Sequence, residues 1–251
     1  VLRPLAAKEQ FDIIHGNAEE AYYADIVARE TGADYVFTSH APNIPQRGIL
    51  GGLTNPLQFL KTINTYLLRE SICSAKRIVT FSQFSRDVVV TAIGKNFIDR
   101  VEIVYPGIDP SWLEIKRNSV SALHLLFWGR IEEEKGLPEL LTAMKKISTT
   151  IPGVKLTLVG EGSQLRKYKR MVAEFGLSGK VEFPGWLNAQ AIQKLAMKCS
   201  LGVFPSRIES FGLSVVEAMA SGLPVIATCS GAIPENVKDG ITGTLVPKEN
   251  P

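Results

Sequence analysis

The chain has 251 residues, of which 45% are hydrophobic and 21% are charged, and its formal net charge is +3. This composition is typical of a soluble globular protein and excludes the disordered and fibrous classes. So small a net charge does not indicate a nucleic-acid partner, and the apolar stretches stop well short of the roughly 20 residues that a transmembrane helix needs.

In the first part of the chain, short runs rich in Val, Ile and Phe alternate with longer segments of helical period, the pattern of a parallel sheet covered by helices. The predicted strands are 11–15, 35–39, 77–81 and 101–104, and the predicted helices are 19–31, 56–76 and 83–93. The chain opens on Val1 without an apolar segment of secretory type. We therefore expect the interior of a longer protein, with this first Rossmann-like domain incomplete.

A turn at Tyr105-Pro106-Gly107 and a polar stretch at 116–119 predict a boundary between two domains, 1–107 and 108–251. In the second domain the predicted strands are 123–128, 155–159, 181–183, 201–204, 224–227 and 243–246, and the predicted helices are 137–150, 163–175, 188–198 and 211–221. The fold class is therefore α/β, with two Rossmann-like parallel-sheet domains. Because no helix follows the last strand, we expect the second domain to lack its final helix.

The three cysteines, Cys73, Cys199 and Cys229, lie far apart and have no C-x-x-C spacing. Neither a disulfide framework nor a zinc site is predicted. We expect buried thiols in a reducing compartment, and hence a cytoplasmic protein.

One predicted helix carries a dense group of cations, namely Arg166, Lys167, Lys169 and Arg170. Two interpretations are open. The commoner is a solvated helix face, and the other is a peripheral contact with the anionic inner surface of a membrane.

Three loops that follow predicted strands hold the residues best suited to chemistry. In open parallel sheets, ligands bind at the carboxyl ends of the strands, where helix N-termini attract phosphate. The first loop contains Gly129, Arg130 and Lys135. Arg and Lys are the side chains that neutralise a diphosphate. Three glutamates lie between the two cations, so surface salt bridges are an equally good interpretation.

The second loop, Gly160-Glu161-Gly162, has two glycines that would let a ligand approach the backbone, which alone is a weak signal. The third loop contains Glu209 and runs into a helix that contains Glu217. The residues between would present N–H groups at the helix N-terminus: Ser210, Phe211, Gly212, Leu213 and Ser214. The apolar neighbours of Glu217 favour a buried carboxylate with a partner over an exposed helix residue.

The pair of glutamates, spaced as E-x-x-x-x-x-x-x-E, follows an upstream Gly-Arg-x-x-x-x-Lys-Gly segment. Together these motifs resemble the retaining glycosyltransferases of family four (group 1), which have the GT-B fold. The resemblance is clear over 120–251 and looser over 11–107. It implies an acceptor-side domain at 1–107 and a nucleotide-sugar donor domain at 108–251, which face a cleft.

The resemblance also implies roles for single residues. Arg130 and Lys135 match the cations that bind the donor diphosphate. Glu209 matches the glutamate that contacts the transferred sugar, and Glu217 matches the one that holds the ribose hydroxyls. His40 matches a histidine that faces the donor sugar. The predicted catalytic set therefore has four residues: His40, Arg130, Lys135 and Glu209.

The remaining positions concern the base and the other histidines. Pro184 and Gly185 belong to a segment that resembles the stretch receiving the nucleotide base. His15, at the end of the first predicted strand, resembles an earlier histidine of the same domain, and a structural role is equally good. His124 lies inside a predicted strand, so we expect it to be structural.

The function implied is transfer of a sugar from a nucleotide diphosphate to a glycan, lipid or small-molecule acceptor, with retention at the anomeric carbon. No cofactor and no metal are expected, because the cations can stabilise the departing diphosphate and no D-x-D segment occurs. The alternatives are a GT-B epimerase or phosphorylase, and a nonenzymatic nucleotide-sugar-binding module.

The sequence does not indicate the identity of the acceptor. The apolar helix predicted at 56–72 and the loop at 48–53 could contact a lipid. Packing in a core is the commoner fate of apolar helix faces.

Overall fold

The computed structural model describes residues 8–17, 20–40, 66–117 and 123–251. The chain divides into two compact units, Val1–Pro106 and Gly107–Pro251, one residue before the predicted boundary. Each unit has its own parallel β-sheet with helices between the strands, which confirms the α/β class.

The first unit contains a four-stranded sheet in which neighbouring strands are parallel. In pairing order, its strands are β1 (Ile13–Asn17), β2 (Asp34–Thr38), β3 (Arg77–Thr80) and β4 (Val101–Ile103). Its helices are α1 (Ala21–Thr31) and α2 (Gln83–Ile93), and residues 66–74 are also helical. Of the helix predicted at 56–76, residues 56–65 lie outside the described residues, as does the loop at 48–53.

The first strand begins two residues later than predicted, at Ile13 instead of Phe11. Both side chains are exposed, by 60% and 45%, so burial of apolar groups does not fix the start of this strand. Pairing with β2 fixes it, because Ile13 lies opposite Asp34, the first residue of β2, and Asn17 lies opposite Thr38, the last. The position predicted for His15 is therefore wrong: it lies in mid-strand, and Asn17 ends the strand.

The second unit contains a six-stranded sheet, again with parallel neighbours. Its strands along the chain are β5 (His124–Trp128), β6 (Lys155–Val159), β7 (Val181–Gly185), β8 (Leu201–Phe204), β9 (Val225–Thr228) and β10 (Thr244–Val246). They pair in the order β10-β9-β8-β5-β6-β7. The helices are α3 (Leu137–Thr150), α4 (Leu165–Glu174), α5 (Ala189–Ala196), α6 (Leu213–Ala220) and α7 (Ile233–Asn236).

The core of the second unit is apolar and includes an aromatic cluster beneath the end of β5. Trp112 stacks on Trp128 with ring centroids 5.8 Å apart and planes 4° apart. Phe204, the last residue of β8, meets Trp128 edge-on at 5.0 Å. All three side chains are buried. The aromatic contacts thus hold the ends of β5 and β8 against each other.

Several details of this unit differ from expectation: for example, β7 continues to Gly185 instead of ending at residue 183, and α6 begins at Leu213 instead of residue 211. Helix α7 was not predicted, because its four residues are too few to show a helical period. Cys229 is exposed although buried thiols were expected, because it follows the last residue of β9, outside the sheet. Cys199 is buried as expected.

Along the described parts of the chain, no helix is both long enough and apolar enough to cross a membrane. The four cations of α4 are all exposed. Exposure fits both interpretations of that helix.

The backbone at Gly136 allows a test of the packing between loops. Its φ is 64°, and a Cβ at this position would lie 1.9 Å from the carbonyl oxygen of Pro205. We expect Gly136→Ala to lower the free energy of unfolding by at least about 2 kcal/mol, because left-handed backbone is strained for an L residue and main chain cannot move aside cheaply. Urea unfolding followed by circular dichroism measures this.

Gly153→Ala is the matched control, since nothing lies within 4 Å of the Cβ it would gain. Equal loss of stability in the two variants would contradict the role given to Gly136.

Candidate functional site

The strand order of the second sheet reverses at one point, between β5 and β8. There β5 pairs with β6 on one side and with β8 on the other. In open parallel sheets, the crevice outside the carboxyl ends at such a reversal is where ligands bind. The loops 129–136 and 205–212 leave the sheet at this point, so two of the three predicted loops lie side by side.

Lys135 and Glu209, one from each loop, form an ion pair. The Lys135 Nζ lies 2.6 Å from Oε1 of Glu209, and the side chains are only 15% and 17% exposed. The Ser206 hydroxyl donates to the same oxygen at 2.8 Å, and Ser206 is itself buried. With little water around it, this pair interacts more strongly than one on the open surface. Two predicted catalytic residues are thus in direct contact.

Backbone and side-chain bonds around Arg207 fasten the two loops to each other. The Arg207 N–H donates to the carbonyl of Glu134 at 2.8 Å, and its guanidinium donates to Glu139 at 2.6 Å. The hydrogen bond to Glu139 raises the pKa of Arg207. On the far side, the carbonyl of Glu209 accepts from the Ala232 N–H at 2.9 Å. The main chain that carries Glu209 is therefore held at both ends.

Glu217 lies in α6 and is half-buried. Its Oε2 accepts a hydrogen bond from Nε1 of Trp128 at 2.8 Å. Burial raises the pKa of Glu217 above its usual range, and the bond from Trp128 offsets part of that rise. The carboxylate has the partner that the apolar neighbours favour, but it is half-buried and not fully buried.

The N-terminus of α6 lies beside Glu209. Ser210 and Phe211 form the turn before the helix, and Gly212, with φ of 87°, leads into it. The N–H groups of a first helical turn, here including Leu213 and Ser214, have no acceptor within the helix. Such a terminus attracts anions, as the sequence predicts.

Arg130 is exposed, in contrast to Lys135 and Glu209. Its side chain is 71% exposed and pairs with Glu134 at 2.8 Å, four residues along the chain. The surface salt bridge considered for this loop is therefore present. A phosphate role for Arg130 stays a prediction.

The glycines that follow β5 and β6 pack against the neighbouring loop. A Cβ on Gly160 would lie 1.9 Å from the carbonyl oxygen of Gly129, and one on Gly162 would lie 2.3 Å from that of Ile131. The Ile131 N–H also donates to the carbonyl of Glu161 at 2.7 Å. The close approach that these glycines permit is thus between two parts of the protein. Contact with a ligand stays a prediction.

Pro184 and Gly185 end β7, the outermost strand of this side of the sheet. The Gly185 carbonyl accepts from the Gly160 N–H at 2.8 Å, which ties this segment to the loop after β6. Trp186 follows directly and is 69% exposed. The segment lies at the carboxyl edge, where the predicted base contact requires it.

His40 belongs to the first unit, just beyond the end of β2. Its Nε2 lies 3.1 Å from Oδ1 of Asn17, and its ring meets Phe81 edge-on at 4.9 Å. His15 instead pairs with the Thr38 hydroxyl at 2.6 Å within the sheet. The contact of His40 with a donor sugar stays a prediction.

His124 begins β5, at the opposite edge of the sheet from the loops above. Its Nε2 lies 2.8 Å from the Thr157 hydroxyl, and burial lowers the pKa of its ring. The structural role expected for it is confirmed. In the described ranges, no three His, Cys, Asp or Glu side chains are arranged to hold a metal ion.

Sequence reasoning missed several residues that shape these sites. Ser206 and Asn17 are polar residues at strand ends, so the rule that singled out the loops could have found them. Asn236 holds the carbonyl of Phe211 through its Nδ2 at 2.6 Å, and nothing in the sequence signals this. Trp128 was predicted only as the last residue of a strand, and the partner of its N–H became visible only in three dimensions.

Two family models cover the chain: Glycosyl transferases group 1 over residues 113–251 and Glycosyltransferase Family 4 over residues 1–112. An uncharacterized glycosyltransferase of Methanocaldococcus jannaschii is 27% identical over 97% of this chain. A D-inositol 3-phosphate glycosyltransferase of Mycobacterium tuberculosis is 30% identical over 98% of this chain. The chain covers 64% and 53% of these two relatives, respectively.

Solved structures give the same picture of the fold. The Anabaena protein HepE in complex with UDP-glucose has a TM-score of 0.78 at 23% identity, covering 99% of this chain and 68% of that one. Sucrose-phosphate synthase from Thermosynechococcus elongatus has a TM-score of 0.79 at 21% identity, covering 99% and 64%. These likenesses confirm the GT-B fold implied by the motifs.

The raised pKa of Glu217 predicts a pH-dependent cost to stability. Between the unfolded and the folded pKa the folded state binds more protons, so stability falls as the pH rises through that window. Glu217→Gln removes this titration and keeps an acceptor for Trp128. In urea unfolding, we expect the variant to gain stability relative to the wild type between about pH 4 and about pH 7.

Glu174→Gln, at an exposed position, is the control. If the free energy of unfolding of Glu217→Gln differs from that of the wild type by the same amount at both pH values, the pKa of Glu217 is not raised by folding.

Proposed function

This chain belongs to the family of group 1 glycosyl transferases, and we propose that it transfers a sugar from a nucleotide diphosphate to an acceptor, with retention at the anomeric carbon. The observation that most directly supports the proposal is the shielded pair of Lys135 and Glu209 at the strand reversal, beside the N-terminus of α6. An ammonium group suits phosphate, and a carboxylate suits sugar hydroxyls. The pair therefore supports a site for a nucleotide sugar at this edge of the sheet.

Lys135 is the proposed main ligand of the donor diphosphate, with Arg130 and the N–H groups of Gly212, Leu213 and Ser214 as further donors. Negative charge grows on the diphosphate as the bond to the sugar breaks. Fixed cations and N–H groups already aimed at that charge lower the barrier without rearranging. Lys135 is well suited, because the ion pair with Glu209 positions its ammonium group at this edge of the sheet.

The two glutamates are assigned to the two sugars of the donor. Glu209 would accept hydrogen bonds from hydroxyls of the transferred sugar, and Glu217 from those of the ribose. Trp128 engages one oxygen of Glu217 and thereby fixes the direction of the carboxylate. We further propose that His40 orients the transferred sugar and that the segment at Pro184 and Gly185 receives the base.

No metal is required in this mechanism, because Lys135 and Arg130 supply the positive charge. The acceptor is proposed to be a hydroxyl-bearing glycan, lipid or small molecule. The Mycobacterium tuberculosis relative is named for D-inositol 3-phosphate, a small molecule of that kind.

Calorimetric titration of the chain with UDP, GDP and ADP tests the donor site. We expect one nucleotide to bind saturably and Lys135→Ala to weaken its binding by at least about tenfold, since a charge-assisted contact is lost. Addition of EDTA should leave the affinity unchanged. UDP is the first choice because HepE was solved in complex with UDP-glucose.

Lys198→Ala, which removes an exposed lysine just beyond α5, is the control. If Lys135→Ala binds the nucleotide as tightly as the wild type does, Lys135 is not a ligand of the diphosphate and the assignment of the phosphate site is refuted. Equal weakening in both variants would mean that net charge alone attracts the nucleotide.

Retention predicts the stereochemistry of slow transfer to water. Proton NMR of the chain with UDP-α-glucose should show α-glucose appearing before β-glucose, because the configuration at the anomeric carbon is kept. Early β-glucose would contradict retention. Conversion of the donor to another nucleotide sugar would favour an epimerase, and tight binding without turnover on any acceptor would favour a binding module.

A further inference from the structure

We propose that Glu209 makes the site prefer a nucleotide sugar over the sugar-free nucleoside diphosphate, by competing with the diphosphate for Lys135. This inference rests on the function proposed above. It concerns the discrimination between the donor and the product that transfer leaves behind.

The proposed phosphate ligand, Lys135, is paired with an anionic side chain of the protein itself. The Glu209 carboxylate lies 2.6 Å from the Lys135 ammonium, and the two side chains are 15% and 17% exposed. The Arg130–Glu134 pair, by contrast, is 71% and 36% exposed, so water and salt weaken it. Only the first of these pairs is shielded enough to oppose an incoming phosphate strongly.

The main chain of Glu209 is fixed in place, and its carboxylate has a second partner besides Lys135. Its carbonyl is bonded to the Ala232 N–H, and a Cβ on Gly231 would lie 2.2 Å from that same carbonyl oxygen. The Ser206 hydroxyl holds the carboxylate itself at 2.8 Å. The bond from Ser206 favours a position of the carboxylate beside Lys135, where its negative charge faces any diphosphate that binds.

A nucleoside diphosphate that binds Lys135 displaces Glu209 from it. Glu209 then keeps only its hydrogen bond from Ser206 and lies close to the negative charge of the diphosphate. A partly buried carboxylate that loses its cation is costly. A nucleotide sugar brings hydroxyls that donate to Glu209 and replace the lost contact. The cost therefore falls mainly on the product, and its departure lets Glu209 pair with Lys135 again.

Glu209→Gln tests the inference, because the amide keeps the shape and removes the charge. Calorimetry would compare wild type and variant with UDP, GDP and ADP and with the glucose ester of each. For the nucleotide that binds, we expect Glu209→Gln to tighten the sugar-free diphosphate by about tenfold. The glucose ester should gain no affinity, so the preference for it shrinks.

Glu174→Gln is the control, since it removes one negative charge from an exposed position of α4, outside the loops that form the site. It should change the affinity for the diphosphate by less than about twofold, as expected of a solvent-screened charge. Equal tightening in both variants would overturn the inference in favour of a general field effect.

Two further outcomes separate this inference from the proposed function. If Lys135→Ala weakens the diphosphate and Glu209→Gln does not tighten it, the competition is refuted and the donor site stands. If the wild type binds none of the six ligands, both the donor site and the competition are refuted.

Discussion

The site in the second unit depends on the pairing of β5 with β8. These strands set Leu126 opposite Gly202, and the strand order reverses between them. Since parallel strands send their carboxyl ends to one edge, this pairing brings the loop of Lys135 against the loop of Glu209. Gly202 leaves little room for change, because a Cβ there would lie 3.0 Å from the ring of Phe204. A bulkier residue would press on that ring, on Leu223 and on Ala218 of α6, the helix that carries Glu217.

Much of this arrangement could be predicted from sequence, because buried parallel strands are continuous apolar runs and their ends are marked by glycine and charge. That logic located the loops of Lys135 and Glu209 and the helix of Glu217. It could not show that Lys135 and Glu209 touch, since they lie on different loops and their contact depends on side-chain geometry. The partnership of Trp128 with Glu217 was hidden for a similar reason, because a tryptophan in an apolar run indicates only core.

Where the predictions failed, a local pattern was ambiguous. Phe11 and Ile13 suggested a buried strand start, yet both are exposed, and pairing with β2 displaced the strand and His15 with it. Gly160 was expected to let a ligand approach the backbone; the approach that the structure shows is by the Gly129 carbonyl, and contact with a ligand stays a prediction. Glycine after a strand reports close approach without saying what approaches. The sequence does not say whether a ligand or another loop of the protein approaches the glycine.

The stacked indole of Trp128 gives the site a built-in optical reporter. Its ring lies against Trp112 in the core, while its N–H ends on Glu217. Emission from an indole responds to the field at its ring nitrogen, so a ligand that engages Glu217 would alter the fluorescence of a residue it never touches. Trp186, exposed at the end of β7, would respond to solvent instead. Changes at the carboxylate and at the rim could thus be followed separately, without a label.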